Sequence, residues 1–439
     1  MPHKKAPCFS ARGLCFNLHQ INEFVSFHPR ECNISIKPVE VSLVFRHFHP
    51  ILAGAAERFR RYSAPLAIER IRYEVFTLRE EEAHAENETL HETLHVRRFA
   101  AKGKPWARDA ALFQRAWEHL SALRPEGHVL QTSLAHDLST PWLNRIRSHG
   151  TGCIYVGTMV GRYDATLPAW RRWAQRWKSW RNLRPFHKVV VSTTVMARWF
   201  QNQGVDLRRI EVIPNGVDVK RFRPAAELAE KLDLRRRLGI NATAPVVLFA
   251  GSIVPRKGID LLLRAWPSVL ARMPDAKLVL VGGFDRPTFM TKERMQELSR
   301  FQDEMRFLAM REECCGSVTF AGESTCVEEW MRASDVFVFP TEQEGMGNVV
   351  LEAMASGLPC VITEFHGLPE KEFGKAGTEF ILVPRNKESL ANGLVQALSS
   401  PNMSYTMGRL GNEWVNREMR FDLTIDRYAR LYRRLAGTD

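Results

Sequence analysis

Apolar residues in this chain gather in short runs separated by longer stretches in which they recur at helical spacing. VEVSLVF (39–45), RYEVFTL (72–78), LHVRRFA (94–100), HVLQTSL (128–134), CIYVGTM (153–159), KVVVSTT (188–194) and IEVIP (210–214) each read as a strand. Helices are expected over about 54–68 and 107–122. A charged connector, AAELAEKLDLRRRLGI (225–240), follows. The pattern then restarts with PVVLFAG (245–251), a helix over about 258–272, AKLVLVGG (276–283), SVTFAG (317–322), DVFVFP (335–340), LPCVIT (358–363) and EFILVP (379–384). Continuous apolar strands alternating with helices predict parallel sheets covered on both faces. Two such runs predict an α/β fold of two doubly wound, Rossmann-like domains, 39–217 and 218–405, facing a central cleft. Residues 1–38 lack periodicity and form an extension. Residues 406–439 read as a basic helical tail that returns to the first domain.

In such sheets ligands sit at the carboxyl ends of strands, so the segments there carry the candidate chemistry. EGMGNVVLEAM (344–354) follows the strand DVFVFP. Gly345 and Gly347 resist a helix interior, and Gly357 with Pro359 fits a helix stop, so a helix is expected over about 347–356. It is almost wholly apolar, with Val349/Ala353 and Val350/Met354 as pairs one turn apart. A carboxylate at Glu352 is costly there unless something hydrogen-bonds it. Glu344 falls in the loop before the helix, whose N-terminus offers free N–H groups to an anion. Read alone, the two glutamates fit an acid/base pair, metal ligands, clamps on a ligand, or ordinary surface positions. GSIVPRKGIDLLLRAW (251–266) puts Arg256 and Lys257 between a strand and a helix, a setting that suits a diphosphate. Ile213-Pro214-Asn215-Gly216-Val217-Asp218 reads as a turn.

Composition narrows the partners. A length of 439 residues with 45% apolar and 25% charged content fits a globular chain, and no apolar run is long enough to span a bilayer. The N-terminus lacks the apolar core of a signal peptide. Eight cysteines without a C-x-x-C predict reduced thiols in the cytoplasm. The net charge of +13 favours anionic partners, and the absence of nucleic-acid-binding signatures places nucleotide-linked substrates and lipid surfaces ahead of polynucleotides.

Together VIPNGVDVKRF, FAGSIVPRKGIDLLLRAW, KLVLVGG, VTFAGE, SDVFVFPT and EGMGNVVLEAMASGLPCVIT resemble the retaining nucleotide-sugar glycosyltransferases of family 4, which have the GT-B fold. The resemblance covers about 185–385, and HPILAGAAER (49–58) resembles the family's first glycine-rich loop, with Ala55 where a second glycine is usual. It implies a transferase that moves a sugar from a nucleotide-diphosphate donor to a hydroxyl of a glycan or lipid-linked acceptor, in cell-surface polysaccharide or glycolipid synthesis. Glu352 is then implied to hold the ribose hydroxyls and Glu344 the donor sugar. Met346, Gly347 and Asn348 offer backbone N–H groups, Arg256 and Lys257 neutralise the diphosphate, and Gly54 and Gly251 flank the donor. His136 is the candidate for the histidine after the strand 128–134. Three positions depart from the family: Ser252 replaces a common arginine, Ser133 competes with His136 for register, and Thr158-Met159-Val160 lacks the T-x-H histidine. No D-x-D triplet occurs, so a route without metal or other cofactor is expected, with the leaving phosphate met by cations.

Other readings stay open. An epimerase acting on sugar nucleotides shares the architecture. HETLH (91–95) matches the zinc-protease pattern, which requires both histidines on one helix face, whereas the flanking sequence reads as strand. AWRRWAQRWKSWRNLR (169–184) spaces Trp170, Trp173, Trp177 and Trp180 on one helical stripe among cations. The leading expectation is that the stripe packs on the first domain; the alternative is a peripheral contact with an anionic membrane. The segment 284–315, rich in charge and Met, reads as a surface helix pair or a recognition insert.

Overall fold

The structure, a computed structural model, describes residues 37–50, 54–135, 137–159, 168–284, 292–314, 316–369 and 371–438. Among the described residues fourteen strands form two sheets. The first contains β1 (Val39–Val44), β2 (Ile71–Leu78), β3 (Asn87–His91), β4 (Leu94–Phe99), β5 (His128–Thr132), β6 (Gly152–Val156), β7 (Lys188–Val191) and β8 (Ile210–Val212). Their spatial order is β3-β4-β2-β1-β5-β6-β7-β8, and only the β3/β4 pair is antiparallel. The second contains β9 (Val246–Ala250), β10 (Lys277–Val281), β11 (Val318–Gly322), β12 (Val336–Phe339), β13 (Cys360–Thr363) and β14 (Ile381–Val383). Its order, β11-β10-β9-β12-β13-β14, is the doubly wound order, all parallel.

In each sheet the chain starts in the middle and reverses direction of growth beside its first strand, between β1 and β5 and between β9 and β12. A crevice opens there because successive crossover helices lie on opposite faces. The helices are α1 (Gly54–Ile68), α2 (Pro105–Leu120), α3 (Thr140–Ser148), α4 (Ala169–Leu183), α5 (Thr194–Asn202), α6 (Leu228–Leu238), α7 (Ile259–Leu270), α8 (Lys292–Met310), α9 (Val327–Ala333), α10 (Asn348–Ala355), α11 (Lys387–Ser399), α12 (Pro401–Glu418) and α13 (Phe421–Ala436). Every residue of β9, β12 and β13 is buried, as strands covered on both faces must be.

The chain passes between the two halves twice, at one place. Val217 pairs with Arg420: its N–H donates to the Met419 carbonyl at 2.8 Å and its carbonyl accepts from Phe421 N–H at 2.9 Å. Helix α12 stays with the second half against α10, while α13 lies on β1, β5, β6 and α1. Its face of Ile425, Tyr428, Ala429, Tyr432 and Ala436 recurs at three- and four-residue spacing and is buried with Val39, Val41, Leu43, Phe59 and Tyr73. Tyr432 donates to the Gln131 amide oxygen at 2.9 Å and its hydroxyl meets that of Tyr73 at 3.2 Å. Gly216 makes the approach possible, because a Cβ there would lie 2.5 Å from Phe421 Cα.

Two expectations need correction. The tryptophan stripe of α4 does not pack on the first sheet: Trp170, Trp173, Trp177 and Trp180 are 65%, 66%, 45% and 37% exposed. Only Asn182 and Leu183, at the helix's last turn, are buried. The described part of 284–315 forms one long helix, α8, followed by a short 3-10 turn at Glu312–Cys314, instead of two helices. It buries Leu298, Met305, Leu308 and Ala309 against the second core, enough to explain its length. No helix among the described residues is long and apolar enough to cross a membrane.

Replacing Tyr432 with alanine removes an aromatic anchor of α13 and is expected to cost ~3–5 kcal/mol in urea unfolding. Tyr432→Phe, which removes only the hydroxyl, is expected to cost ~1–2 kcal/mol. Equal losses in the two variants would contradict the packing account.

Candidate functional site

Close backbone contacts bring the second sheet's site together. Gly251 and Gly282, after β9 and β10, have φ of 148° and 149°, and a Cβ on Gly282 would come within 2.0 Å of the Gly251 carbonyl oxygen. Pro255–Lys257 forms a 3-10 turn that ends at Gly258, φ 71°, where a Cβ would come within 2.0 Å of the Pro340 carbonyl oxygen. The turn therefore rests directly on the end of β12. The Arg256 carbonyl accepts from Glu342 N–H at 2.8 Å and from the Thr341 hydroxyl at 3.0 Å.

That contact gathers three of the candidate residues into one charged cluster. Lys257 Nζ lies 2.6 Å from Glu344 Oε1, and the Arg256 guanidinium pairs with the same oxygen. The Lys257 and Glu344 side chains are each only 13% exposed, whereas Arg256 reaches further out. Lys257 also stands 5.7 Å from the centre of the Phe339 ring, which holds its stem. The resemblance implies separate tasks for Glu344 and the two cations, yet the three form one ion-pair cluster. Glu344 Oε2 takes no part in these bonds.

Helix α10 follows, with Gly347 at φ 74° as its N-cap. Val350, Leu351, Ala353, Met354 and Ala355 are buried, and half-buried Glu352 lies one turn past the start. Among the described residues no side chain hydrogen-bonds the Glu352 carboxylate. Burial pushes its pKa above the ordinary carboxyl value; Arg61 and Arg221 oppose the shift and Glu328 adds to it. Arg61 belongs to α1, so Glu352 feels charge from both halves.

Asn215 ties the halves together at the head of α10. Its side-chain N–H donates to Asn348 Oδ1 at 2.6 Å, its backbone N–H to the Met346 sulfur at 3.3 Å, and its side-chain oxygen accepts from Arg58. Gly345 lies against the first half, since a Cβ there would be 2.2 Å from the Thr158 carbonyl oxygen. A third contact joins buried Glu372 to α5, through Thr194 N–H at 2.7 Å. Sequence reasoning missed Arg58, Arg61, Asn215 and Glu372 as site neighbours. Only Asn215 carried a signal, in the turn Ile213–Asp218.

The remaining candidates are quickly placed. Gly54 opens α1 behind the β1 end. His136 lies outside the described residues. The HETLH histidines fall on a hairpin and not a helix face: His91 ends β3, where its ring meets Ser63 Oγ at 2.7 Å and Thr93 Oγ1 at 3.0 Å, and His95 in β4 meets Thr89 at 3.1 Å. An antiparallel turn separates the two side chains, which removes the geometry a zinc protease requires.

Comparison with known proteins agrees with this architecture. Residues 53–221 match the profile described as Glycosyltransferase Family 4, and residues 244–400 the one described as Glycosyl transferases group 1. Solved structures show the fold: a sucrose-phosphate synthase from Thermosynechococcus elongatus superposes with TM-score 0.72 at 21% identity, covering 91% of this chain and 100% of that one. WaaG, a glycosyltransferase involved in lipopolysaccharide biosynthesis, superposes with TM-score 0.65 at 17% identity, covering 89% and 99%. The fold is GT-B. A GDP-mannose-dependent monoacylated alpha-(1-6)-phosphatidylinositol monomannoside mannosyltransferase from Corynebacterium glutamicum is 31% identical over 226 residues, 49% of this chain and 54% of that protein. A phosphatidyl-myo-inositol mannosyltransferase from Mycobacterium tuberculosis is 30% identical over 264 residues, 58% of this chain and 63% of the relative. The match to the first of these spans about half the relative's length. The chain belongs to the family 4 glycosyltransferases.

The raised Glu352 pKa has a consequence for the ligand-free protein. A carboxyl harder to ionise in the folded chain than in the unfolded one favours folding below the ordinary carboxyl range, and that advantage is lost as pH rises through the raised value. Glu352→Gln removes the cost of the buried charge. It is expected to raise the melting temperature at neutral pH by ~2 °C, with the gain shrinking on acidification. A lower melting temperature at neutral pH would show the carboxylate to be structurally satisfied.

Proposed function

We propose that the protein transfers a sugar from a nucleotide-diphosphate sugar to an acceptor hydroxyl with retention of anomeric configuration, in glycolipid or cell-surface polysaccharide synthesis. The observation that carries this reading is the Glu344–Lys257–Arg256 cluster beside the N-terminus of α10. Two cations against one carboxylate leave one positive charge in excess, and the helix terminus adds roughly half a charge. A diphosphate leaving group gains negative charge as the sugar departs, so a site already carrying net positive charge stabilises the transition state more than the bound donor.

The glutamates then act at opposite ends of one donor. Glu352, desolvated and without a hydrogen-bonding side chain, accepts the ribose hydroxyls, which supply the hydrogen bonds its burial calls for. Glu344, anchored through Oε1, has Oε2 left to accept a hydroxyl of the sugar. Neither role leaves a carboxylate to attack the anomeric carbon. Retention then follows from attack on the face the phosphate is leaving, with a phosphate oxygen taking the acceptor proton; a double displacement would need a nucleophile across the ring. Charge compensation by Arg256 and Lys257 replaces the divalent cation in this scheme. The relatives named for GDP-mannose make it the first donor to try.

Lys257→Ala is expected to lower kcat/KM by about 10²–10³-fold while circular dichroism stays unchanged. With wild-type protein, nucleoside diphosphate and glycoside should appear in equal amounts, and a chelator should leave the rate unaltered. An isomerised donor without nucleoside diphosphate release would replace the transferase reading with an epimerase.

A further inference from the structure

A crossover helix between parallel strands normally turns its apolar stripe onto the sheet, because that is where its burial is favourable. Helix α4, between β6 and β7, does the reverse. Trp170, Trp173 and Trp177 face outward, Trp180 is partly exposed beside Gly204, and only Asn182 and Leu183 of the helix are buried. An exposed apolar stripe of this kind marks a contact with something outside the chain.

The chemistry of the stripe specifies that contact. Helix α4 and its cap carry Arg171, Arg172, Arg176, Lys178, Arg181 and Arg184 and no acidic residue. The cations are interleaved with the rings: Arg171 lies 5.1 Å from the centre of Trp170, Arg181 4.8 Å from Trp177 and Arg184 5.6 Å from Trp180. Trp173 and Trp177 stack at 6.5 Å. Asp137, after β5, pairs with Lys178 at 3.4 Å and with Arg181 at 2.5 Å, which ties the helix to the carboxyl end of the first sheet. Next to it α3 continues the same composition, with Arg145 4.7 Å from Trp142 and Arg147 donating to the Arg184 carbonyl at 2.9 Å.

We propose that α4 docks the protein on an anionic lipid surface, with the indoles seated at headgroup depth and the guanidinium groups on lipid phosphates. Indoles favour the bilayer interface, where one edge meets apolar chains and the N–H meets water. Guanidinium groups pair with phosphates in two-pronged fashion. A second copy of the chain is a poor occupant, since a self-complementary contact would press two acid-free cationic helices together. Docking does not depend on the transferase reading. Where that reading holds, the arrangement has a further use: the loop after β6 reaches Gly345 through Thr158, so the docking helix follows the strand that borders the cleft.

The test is co-sedimentation of the full chain with vesicles of phosphatidylcholine alone and of an equal mixture with phosphatidylglycerol. Binding is expected only to the mixture, with a blue shift of tryptophan emission and loss on raising salt. The double variants W170S/W173S and R171E/R176E alter exposed positions, so they should fold like the parent by circular dichroism and each bind at least about tenfold more weakly. Equal binding to both vesicle types, or variants that bind like the parent, would overturn the proposal. So would a dimer in gel filtration that W170S/W173S abolishes without any vesicle binding, or retention by a single-stranded oligonucleotide in place of vesicles. Donor turnover with a water-soluble acceptor, measured on the same variants, should stay at the parent level; its absence in the parent would count against the transferase reading and leave the docking result standing.

Discussion

The packing of α13 on the first sheet is the constraint on which the rest of the molecule depends. Its tyrosine face covers β1 and β5, the pair at which that sheet changes its direction of growth. To reach them the chain must leave α12 in the second half and cross at Met419–Phe421, where it pairs with Val217. The pairing fixes the segment Ile213–Val217, and with it Asn215, whose contacts with Arg58, Met346 and Asn348 set the head of α10 against the first half. The position of α10 is thus tied to a core built from residues at both ends of the described chain. Aromatic burial of this size outweighs any one polar contact across the cleft.

Within that frame the site is organised by charge held in reserve. Glu344 is largely buried and compensated by Arg256 and Lys257; Glu352 is desolvated with no hydrogen bond from a described side chain. A buried carboxylate whose pKa is raised by desolvation, as at Glu352, is a feature that gathers at functional sites. The two carboxylates therefore differ in their surroundings: Glu344 is paired with two cations, whereas no described side chain hydrogen-bonds Glu352.

The exposed indoles of α4 follow another logic. They contribute nothing to either core, and the helix is anchored by its last turn and by Asp137. Its composition is explained by what lies outside the chain. The helix follows β6, whose outgoing loop meets Gly345 through Thr158, so the chain runs from the contact between the halves into this exposed stripe.

Much of this was legible in the sequence, because local periodicity governs which segments become strands and helices. The strand cores other than β3, the bounds of α10 to within a residue, and the strand at 94–100 that breaks the helical geometry of HETLH followed from apolar runs and glycines; the β3 half of the hairpin did not. The resemblance along 185–385 put Glu344, Arg256 and Lys257 forward as candidates, and the fold brings these three together. Three things were decided only in three dimensions. The Glu344 pairing with Arg256 and Lys257 depends on Gly258 meeting Pro340, a contact between segments far apart in the chain. Asn215 looked like a turn residue until the return of α13 held it between the halves. The direction in which the tryptophans of α4 face could not be read from their spacing, since a helical stripe has the same period whether it meets a sheet or the outside. Spacing records which residues share a face; only the packing around it determines what that face touches.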